Sequence, residues 1–148
     1  MKISTKGRYG VRILLDLAVH QAEKPRQIRD IAKSQGISEK YISRLIIALR
    51  RARMVRSIRG VNGGFQLAKD PAEITLLAIV EVMEGPLAIV DCVRTPAKCS
   101  RTMSCAVHDI WDRLNADIRT AMQRLTLADI IEHYNQVNAN SGLFDYCI

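Results

Sequence analysis

The sequence predicts a mostly α-helical protein with one small β-hairpin, and three features lead to this fold class. The first half contains three short segments whose apolar residues recur every three or four positions. A glycine-rich stretch between two β-prone segments follows directly. The second half contains a longer helical repeat with an apolar stripe. At 148 residues and 48% hydrophobic content, the chain has the size of one folded domain with an appended helical part.

The first half contains three predicted helices, and the third has two distinct faces. Helical spacing predicts a first helix within residues 4–21 and a second that begins at Ile28 and ends at Gly36. Ser38 then caps a third helix. Its core-facing positions are Tyr41, Ile42, Leu45, Ile46 and Leu49. Its other face carries Lys40, Ser43, Arg44, Ile47 and Arg51. A glycine turn between two such helices is typical of a helix-turn-helix, although a plain helical hairpin shares part of the pattern.

A predicted β-hairpin follows the third helix. Residues 55–59 and 65–68 are β-prone and flank a glycine-rich loop. The loop contains the pair Asn62-Gly63, which favours turns with positive φ. A hairpin in this position is a wing, so residues 1–85 are predicted to form a winged helix-turn-helix domain. A largely buried helix over residues 74–83 completes its core.

The charges are divided between the two halves of the chain, whose overall net charge is +7. Residues 1–69 contain 16 Lys and Arg against 4 acidic residues, a net charge of +12. Residues 70–148 contain 6 basic and 11 acidic residues, a net charge of −5. A strongly basic half predicts a polyanionic partner, although any single basic residue is equally compatible with a solvated surface charge.

The predicted partner is double-stranded DNA, with the third helix in the major groove, which admits one helix. The tip of the wing is placed for the minor groove, where narrow A·T tracts concentrate negative potential. The predicted DNA-binding residues are Ser38, Lys40, Tyr41, Ser43, Arg44, Arg51, Arg59 and Asn62.

Residues 86–106 form a predicted loop that carries three cysteines. Three thiols and one imidazole lie within seventeen residues, at Cys92, Cys99, Cys105 and His108. In a cytosolic chain this grouping argues against structural disulfides and favours metal or redox chemistry. Cys105 and His108 are three positions apart, so we expect them to share one face at the start of a helix. Cys147 has no near partner and is predicted to be a free thiol.

Three interpretations of these ligands stay open from the spacing. An iron–sulphur cluster spreads its ligands over bridged irons, so wide gaps suit it. Free thiols that sense redox state or simply pack are the second interpretation. A closed zinc site is the third, but zinc sites usually include two cysteines with two to four residues between them, and this segment lacks such a cysteine pair. The spacing favours the cluster over free thiols, and free thiols over zinc.

Residues 107–148 contain the predicted dimerisation helix. Its apolar residues step by four and three positions, which fits a two-stranded coiled-coil seam. The seam consists of Val107, Trp111, Leu114, Ile118, Ala121 and Leu125. An ordinary helix packed within its own chain is the alternative. A homodimer would place two recognition helices about one DNA turn apart. A short final helix is predicted over residues 126–134, followed by a loose tail over 135–142.

Two classes of protein are disfavoured by the sequence. The apolar stretch at residues 11–19 is interrupted by Arg12 and Asp16, so neither a signal peptide nor a membrane span is predicted there. We therefore expect a cytoplasmic protein with no membrane partner. The sequence contains no Cys-x-x-Cys pair, no glycine-rich nucleotide loop after a strand and no convincing acid/base pair. An enzyme is therefore not expected.

Several motifs of the chain resemble a known family. They are the opening residues 1–10, the turn at 35–38, the wing at 57–60 with Gly63-Gly64, and the series Cys92, Cys99, Cys105 and His108. These motifs resemble the IscR-like branch of the Rrf family of bacterial winged-helix regulators across nearly the whole chain.

The resemblance implies a homodimeric DNA-binding transcription regulator, a repressor, that controls genes for iron–sulphur cluster biogenesis. It implies a cluster of the 2Fe-2S type as the cofactor, held by Cys92, Cys99, Cys105 and His108. Its implied partners are operator DNA, a second copy of the chain and proteins that donate the cluster.

The sequence departs from the family pattern at three places. Six residues separate Cys92 from Cys99, where the pattern has five. Related branches that sense nitric oxide or redox state place a carboxylate in the first helix, where this chain has Arg8 and Arg12. The third helix has Ser43-Arg44 where a well-studied member has an acidic and an amide residue. The alternative function is therefore a regulator of the same fold that senses nitric oxide, iron or thiol redox state, with a different cluster or none.

Overall fold

The computed structural model describes residues 2–22 and 24–143. This part of the chain is mostly helical, with one two-stranded antiparallel sheet, so the predicted fold class is confirmed. In chain order the elements are α1 (Thr5–Val19), α2 (Ile28–Gln35), α3 (Glu39–Arg51), β1 (Val55–Ile58), β2 (Gly64–Leu67), α4 (Leu76–Glu84), α5 (Asp91–Arg94), α6 (His108–Arg124) and α7 (Leu127–Leu143). Single 3₁₀ turns lie at Pro71–Glu73, Pro96–Lys98 and Thr102–Ser104.

The ends of α2 and α3 form where the sequence predicts them. Gly36 ends α2 in the left-handed conformation, with φ of 63°, which glycine adopts at little cost. The Ser38 hydroxyl then accepts a hydrogen bond from the backbone N–H of Tyr41 at 3.3 Å and caps α3. These two residues set the sharp turn between the helices.

The wing pairs β1 with β2 in an antiparallel register that places Val55 opposite Leu67. Arg26 extends this pairing, because its backbone N–H and C=O exchange hydrogen bonds with Phe65 at 3.0 and 2.8 Å. A Cβ atom on Gly64 would lie 2.6 Å from the Arg26 carbonyl oxygen, so only glycine permits this approach. The positive φ of the wing loop falls on Gly60, at 109°, and not on the Asn62-Gly63 pair as the sequence suggested.

The main core lies between α1, α3 and α4. Its members are almost completely buried, and each contributes about 1.5–3 kcal/mol to folding. The fully buried members are Ile13, Leu14, Ile31, Ile42, Leu49, Ile79 and Leu127. Leu127 is the first residue of α7, so the start of this helix is part of the same core as the helix-turn-helix.

The final helix is longer than the sequence indicated. The expected end at residue 134 and the loose tail over 135–142 are wrong, because α7 continues to Leu143. A reciprocal cap begins it: the Thr126 hydroxyl accepts from the Asp129 N–H at 3.2 Å, and the Asp129 carboxylate accepts from the Thr126 N–H at 2.7 Å. No glycine or proline occurs between residues 127 and 141, so nothing in the sequence stops the helix earlier.

Candidate nucleic-acid interface and cysteine segment

The two faces of α3 separate as the helical spacing predicts. The four apolar residues of the inner face are at most 3% exposed, and they are Ile42, Leu45, Ile46 and Leu49. On the other face Lys40, Arg44 and Arg51 are exposed to solvent. Ser43 is half-buried, and its hydroxyl donates to the Glu39 carbonyl oxygen at 2.8 Å. The outer face therefore presents cationic side chains from a rigid, well-anchored helix.

Two of the predicted DNA-binding residues have clear roles in holding α3. Ser38 is the cap of the helix, and Tyr41 is half-buried against the core. The Tyr41 ring meets the Tyr9 ring edge-on at 5.9 Å between centroids. The Arg12 guanidinium lies 5.3 Å from the Tyr9 centroid. These contacts fix the start of α3 against α1; a contact of Ser38 or Tyr41 with DNA stays a prediction.

The wing presents the other predicted DNA-binding residues. Arg59 and Asn62 are exposed in the loop that joins β1 to β2. Val61, at the tip, is 96% exposed. The loop is held closed by a hydrogen bond from the Gly63 N–H to the Gly60 carbonyl oxygen at 2.9 Å. The loop therefore projects both polar and apolar groups into solvent.

A buried carboxylate, which in the sequence only interrupts an apolar stretch, anchors the winged helix-turn-helix half. Asp16 is 3% exposed and accepts hydrogen bonds from Arg26 at 2.9 Å, Gln35 at 3.0 Å and Ser34. Burial raises the pKa of Asp16, but the bonds from Arg26, Ser34 and Gln35, together with the Arg26 charge, outweigh burial and hold the pKa below its usual value. Its place in the helical repeat, beside Leu17, is the signal that could have revealed it.

The Asp16 network connects three parts of the winged helix-turn-helix half. Asp16 belongs to α1, Arg26 pairs with β2 of the wing, and Gln35 is the last residue of α2 before the turn. The Arg12 guanidinium also binds the Gln35 side chain at 3.0 Å and its carbonyl oxygen. The wing and the helix-turn-helix are therefore held to α1 by one set of charge-assisted hydrogen bonds.

The cysteine segment consists of short turns. Cys92 lies in α5, and Cys99 and Cys105 each follow a 3₁₀ turn; all three are free thiols of intermediate exposure. Because α6 begins at His108, Cys105 precedes the helix, and the expectation that the two residues share a helix face is wrong. The backbone N–H of His108 instead donates to the Cys105 carbonyl oxygen at 3.1 Å. Cys147 lies outside the described residues.

The four predicted ligands belong to one segment, but the structure does not bring their side chains together as a metal site. Cys92 and Cys99 line a cavity of about 560 Å³, together with Arg94, Lys98 and Arg101. The His108 Nε2 atom lies 3.4 Å from the Cys92 carbonyl oxygen. Within residues 2–22 and 24–143, no group of three or more His, Cys, Asp or Glu side chains is arranged to hold a metal ion.

The chemistry of this donor set fits an iron–sulphur cluster. Thiolates hold such clusters, and histidine replaces cysteine at some iron sites. The backbone N–H of Arg101 and the hydroxyl of Thr102 lower the pKa of the Cys99 thiol below its usual value and outweigh the effect of burial, with help from the Arg101 charge. The thiolate is the form that binds a metal, so the surroundings of Cys99 suit a ligand.

The start of the cysteine segment is bound to both α4 and α6. The Glu81 carboxylate accepts from the Leu87 N–H at 3.1 Å and from the Arg119 guanidinium. Burial raises the pKa of Glu81, but these two partners outweigh it and the pKa lies below its usual value. Buried Asn115 accepts from the Ile89 N–H at 3.2 Å. A movement of the segment would therefore also displace α4, which packs on α1 and α3.

The outer surface of α6 carries exposed apolar side chains at helical spacing. Among the predicted seam residues, Val107, Trp111, Leu114 and Leu125 are 39–53% exposed, and Ala121 is also exposed. Ile118 differs, because it is half-buried against the small core around Leu77, Val80, Leu87 and Met122. Ile110, which lies outside the predicted seam, is 57% exposed. None of the helices in residues 2–22 and 24–143 has the length and apolar content of a membrane span.

Comparisons with known proteins agree with this architecture. Residues 3–133 match the Rrf2 family, described as "Iron-dependent Transcriptional regulator". The chain is similar to Protein rrf2 of Nitratidesulfovibrio vulgaris strain Hildenborough, with 39% identity over 88% of this chain and 87% of that protein. It is similar in structure to CymR (YrzC), the global cysteine regulator of B. subtilis, with a TM-score of 0.74 and 36% identity over 90% of this chain and 98% of CymR.

A second solved structure, IscR of T. potens, matches with a TM-score of 0.75 and 34% identity over 93% of this chain and 90% of that one. These relatives are regulators of transcription, and none of them is an enzyme. The chain is therefore a member of the Rrf2 family of winged-helix transcriptional regulators, with IscR-like proteins among its relatives.

Proposed function

We propose that this regulator is a homodimeric repressor whose affinity for its operator is controlled by an iron–sulphur cluster of the 2Fe-2S type. The observation that carries the proposal is the occurrence of three free thiols and His108 within one short segment that is hydrogen-bonded to α4, the helix that packs on the DNA-binding core. The IscR-named relatives support a cluster, and the family supports DNA binding.

The proposed DNA contacts divide by chemistry. Lys40, Ser43 and Arg44 meet base edges in the major groove, because residues near the start of a recognition helix reach the bases. Arg51 binds phosphate, and Arg59 with Asn62 enters the minor groove from the wing. The exposure of the basic side chains on α3 and in the wing supports this assignment.

The proposed dimer forms along α6. The exposed apolar residues Val107, Trp111, Leu114 and Leu125 support it, because exposed apolar side chains at helical spacing are stabilised by a second helix. A two-fold axis there would present two copies of α3 to a partly palindromic operator.

Cys92, Cys99, Cys105 and His108 would hold the cluster, which supplies a redox-sensitive and iron-dependent centre when bound. The segment from α5 to α6 would have to rearrange around it, and its hydrogen bonds through Leu87 to Glu81 give α4 a means of responding. The protein would act in the cytoplasm on genes for cluster biogenesis and receive its cluster from donor proteins.

The alternative is a regulator of the same fold without this cluster, in which the cysteines sense thiol redox state, nitric oxide or iron. The similarity to CymR, a global cysteine regulator, favours it. Free thiols would then give the signal directly.

Purification under anaerobic conditions tests the cluster. We expect visible iron–sulphur absorption with about two iron and two sulphide per chain, as the 2Fe-2S type requires. His108→Ala should lose most of the iron, because the loss of one ligand weakens the site. His133→Ala, on the exposed part of α7, is the matched control and should keep it.

A wild-type protein with no iron or sulphide would end the sensor proposal and leave DNA binding intact. Iron that survives in both histidine variants would exclude His108 as a ligand.

A further inference from the structure

One apolar side chain lies exposed in the middle of the basic face of α3. Ile47 is 48% exposed, whereas the core-facing residues of the same helix are at most 3% exposed. Ile47 therefore contributes little to the core. An exposed aliphatic residue is common on protein surfaces and needs no explanation alone, so its surroundings decide its role.

Ile47 is bordered by polar and cationic residues on both sides. Ser43 and Arg44 precede it by four and three positions, and Arg50 and Arg51 follow it by three and four. Residues at these spacings are neighbours on a helix surface. Ile47, Arg50 and Arg51 also line one shallow depression of about 250 Å³. The apolar group is thus framed by cations, and the only acidic residue of α3 is Glu39.

We propose that Ile47 contacts the C5-methyl group of a thymine in the major groove and so determines part of the operator sequence. The flanking arginines favour a polyanion as the binding partner of the surface around Ile47. An apolar protein partner would have to bury several of their charges. Among base edges in the major groove, the thymine methyl is the group suited to aliphatic contact. The proposal rests on the placement of α3 in the major groove.

Selection from a random-sequence duplex library tests this contact with the full chain. We expect the wild-type protein and Ile47→Leu to select a thymine at one position of each half-site. Ile47→Ala should lose the preference at that position alone. Val61→Ala removes exposed apolar atoms from the wing tip and is the matched control. Val61→Ala should still select thymine at the position that Ile47 contacts.

Replacement of the selected thymidine by deoxyuridine then removes the C5-methyl group from the duplex without changing its base pairing. Wild-type affinity should fall about fourfold per half-site, the effect of one buried methyl-sized group. Ile47→Ala should bind both duplexes equally. Circular dichroism melting should show that Ile47→Ala folds normally, because alanine is a strong helix former at an exposed site.

Two results would overturn the proposal while leaving DNA recognition intact: identical selected sequences for the wild type and Ile47→Ala, or equal wild-type affinity for thymine and deoxyuridine duplexes. If the wild-type protein selects no sequence at all, both the thymine contact and the proposed operator recognition are wrong.

Discussion

The double variant Arg44→Ala/Arg51→Ala should lose about 100-fold or more in affinity for a duplex that the wild-type protein selects from a random library. Each arginine that contacts DNA contributes about 1–3 kcal/mol, and a dimer loses each contact twice. Arg44→Ala alone should relax specificity, whereas Arg51→Ala should mainly reduce the salt dependence, since a lost phosphate contact lowers the slope by about one. Fluorescence anisotropy titrations at several salt concentrations measure both effects.

A matched control distinguishes a loss of affinity caused by lost local contacts from one caused by lower net charge. Arg113→Ala/Arg124→Ala removes the same two charges from exposed positions of α6. This control should bind within about threefold of the wild type, because distant exposed charges are screened at physiological salt. If both double variants weaken binding equally, the basic face of α3 is not the DNA-binding surface.

Asp16→Ala should lower the free energy of unfolding by about 3–5 kcal/mol, because it leaves the largely buried guanidinium of Arg26 without its partner. Asp16 is 3% exposed and also accepts hydrogen bonds from Ser34 and Gln35, so two further groups lose an acceptor. Asp30→Ala, which removes an exposed ion pair with Arg29, is the control and should cost below about 1 kcal/mol. Urea denaturation followed by circular dichroism measures both changes.

The stabilisation by Asp16 should depend on pH in one direction. The pKa of its carboxyl in the folded protein lies below its usual value of 3.8, so ionised Asp16 stabilises the fold fully above that pH. As the pH falls below 3.8 the contribution is lost, and the stability difference between the wild type and Asp16→Asn should narrow. A difference that widens under acid conditions would contradict this assignment of the Asp16 pKa.

The sequence predicts the DNA-binding half well because its signals are local. Gly36 and Ser38 determine the ends of two helices through their own backbone and hydroxyl chemistry, and the apolar spacing of α3 needs only a core on one side. The strand bounds of the wing follow from the same local rules. The buried role of Asp16 depends on Arg26 and Gln35, whose approach is created by the tertiary fold.

The second half is harder to predict because its features depend on helix ends and on partners that helical spacing alone does not determine. The sequence predicts too short an α7 because polar residues near its end resemble a tail, although none of the residues up to 141 is a glycine or proline that would break the helix. The place of Cys105 before α6 depends on where that helix begins, which helical spacing alone does not fix. The cluster ligands and the dimer seam stay predictions, since each involves a partner that a single chain does not contain.

The coupling between cluster and DNA is tested most directly by one set of binding titrations. Cluster-loaded protein, cluster-free protein and Cys92→Ala/Cys99→Ala/Cys105→Ala protein are titrated against the same selected duplex under anaerobic conditions. We expect the loaded and cluster-free forms to differ at least about fivefold in affinity, the lower end of typical coupling between two sites. The triple variant should match the cluster-free form. Equal affinities for all three forms would contradict control of the operator by a cluster.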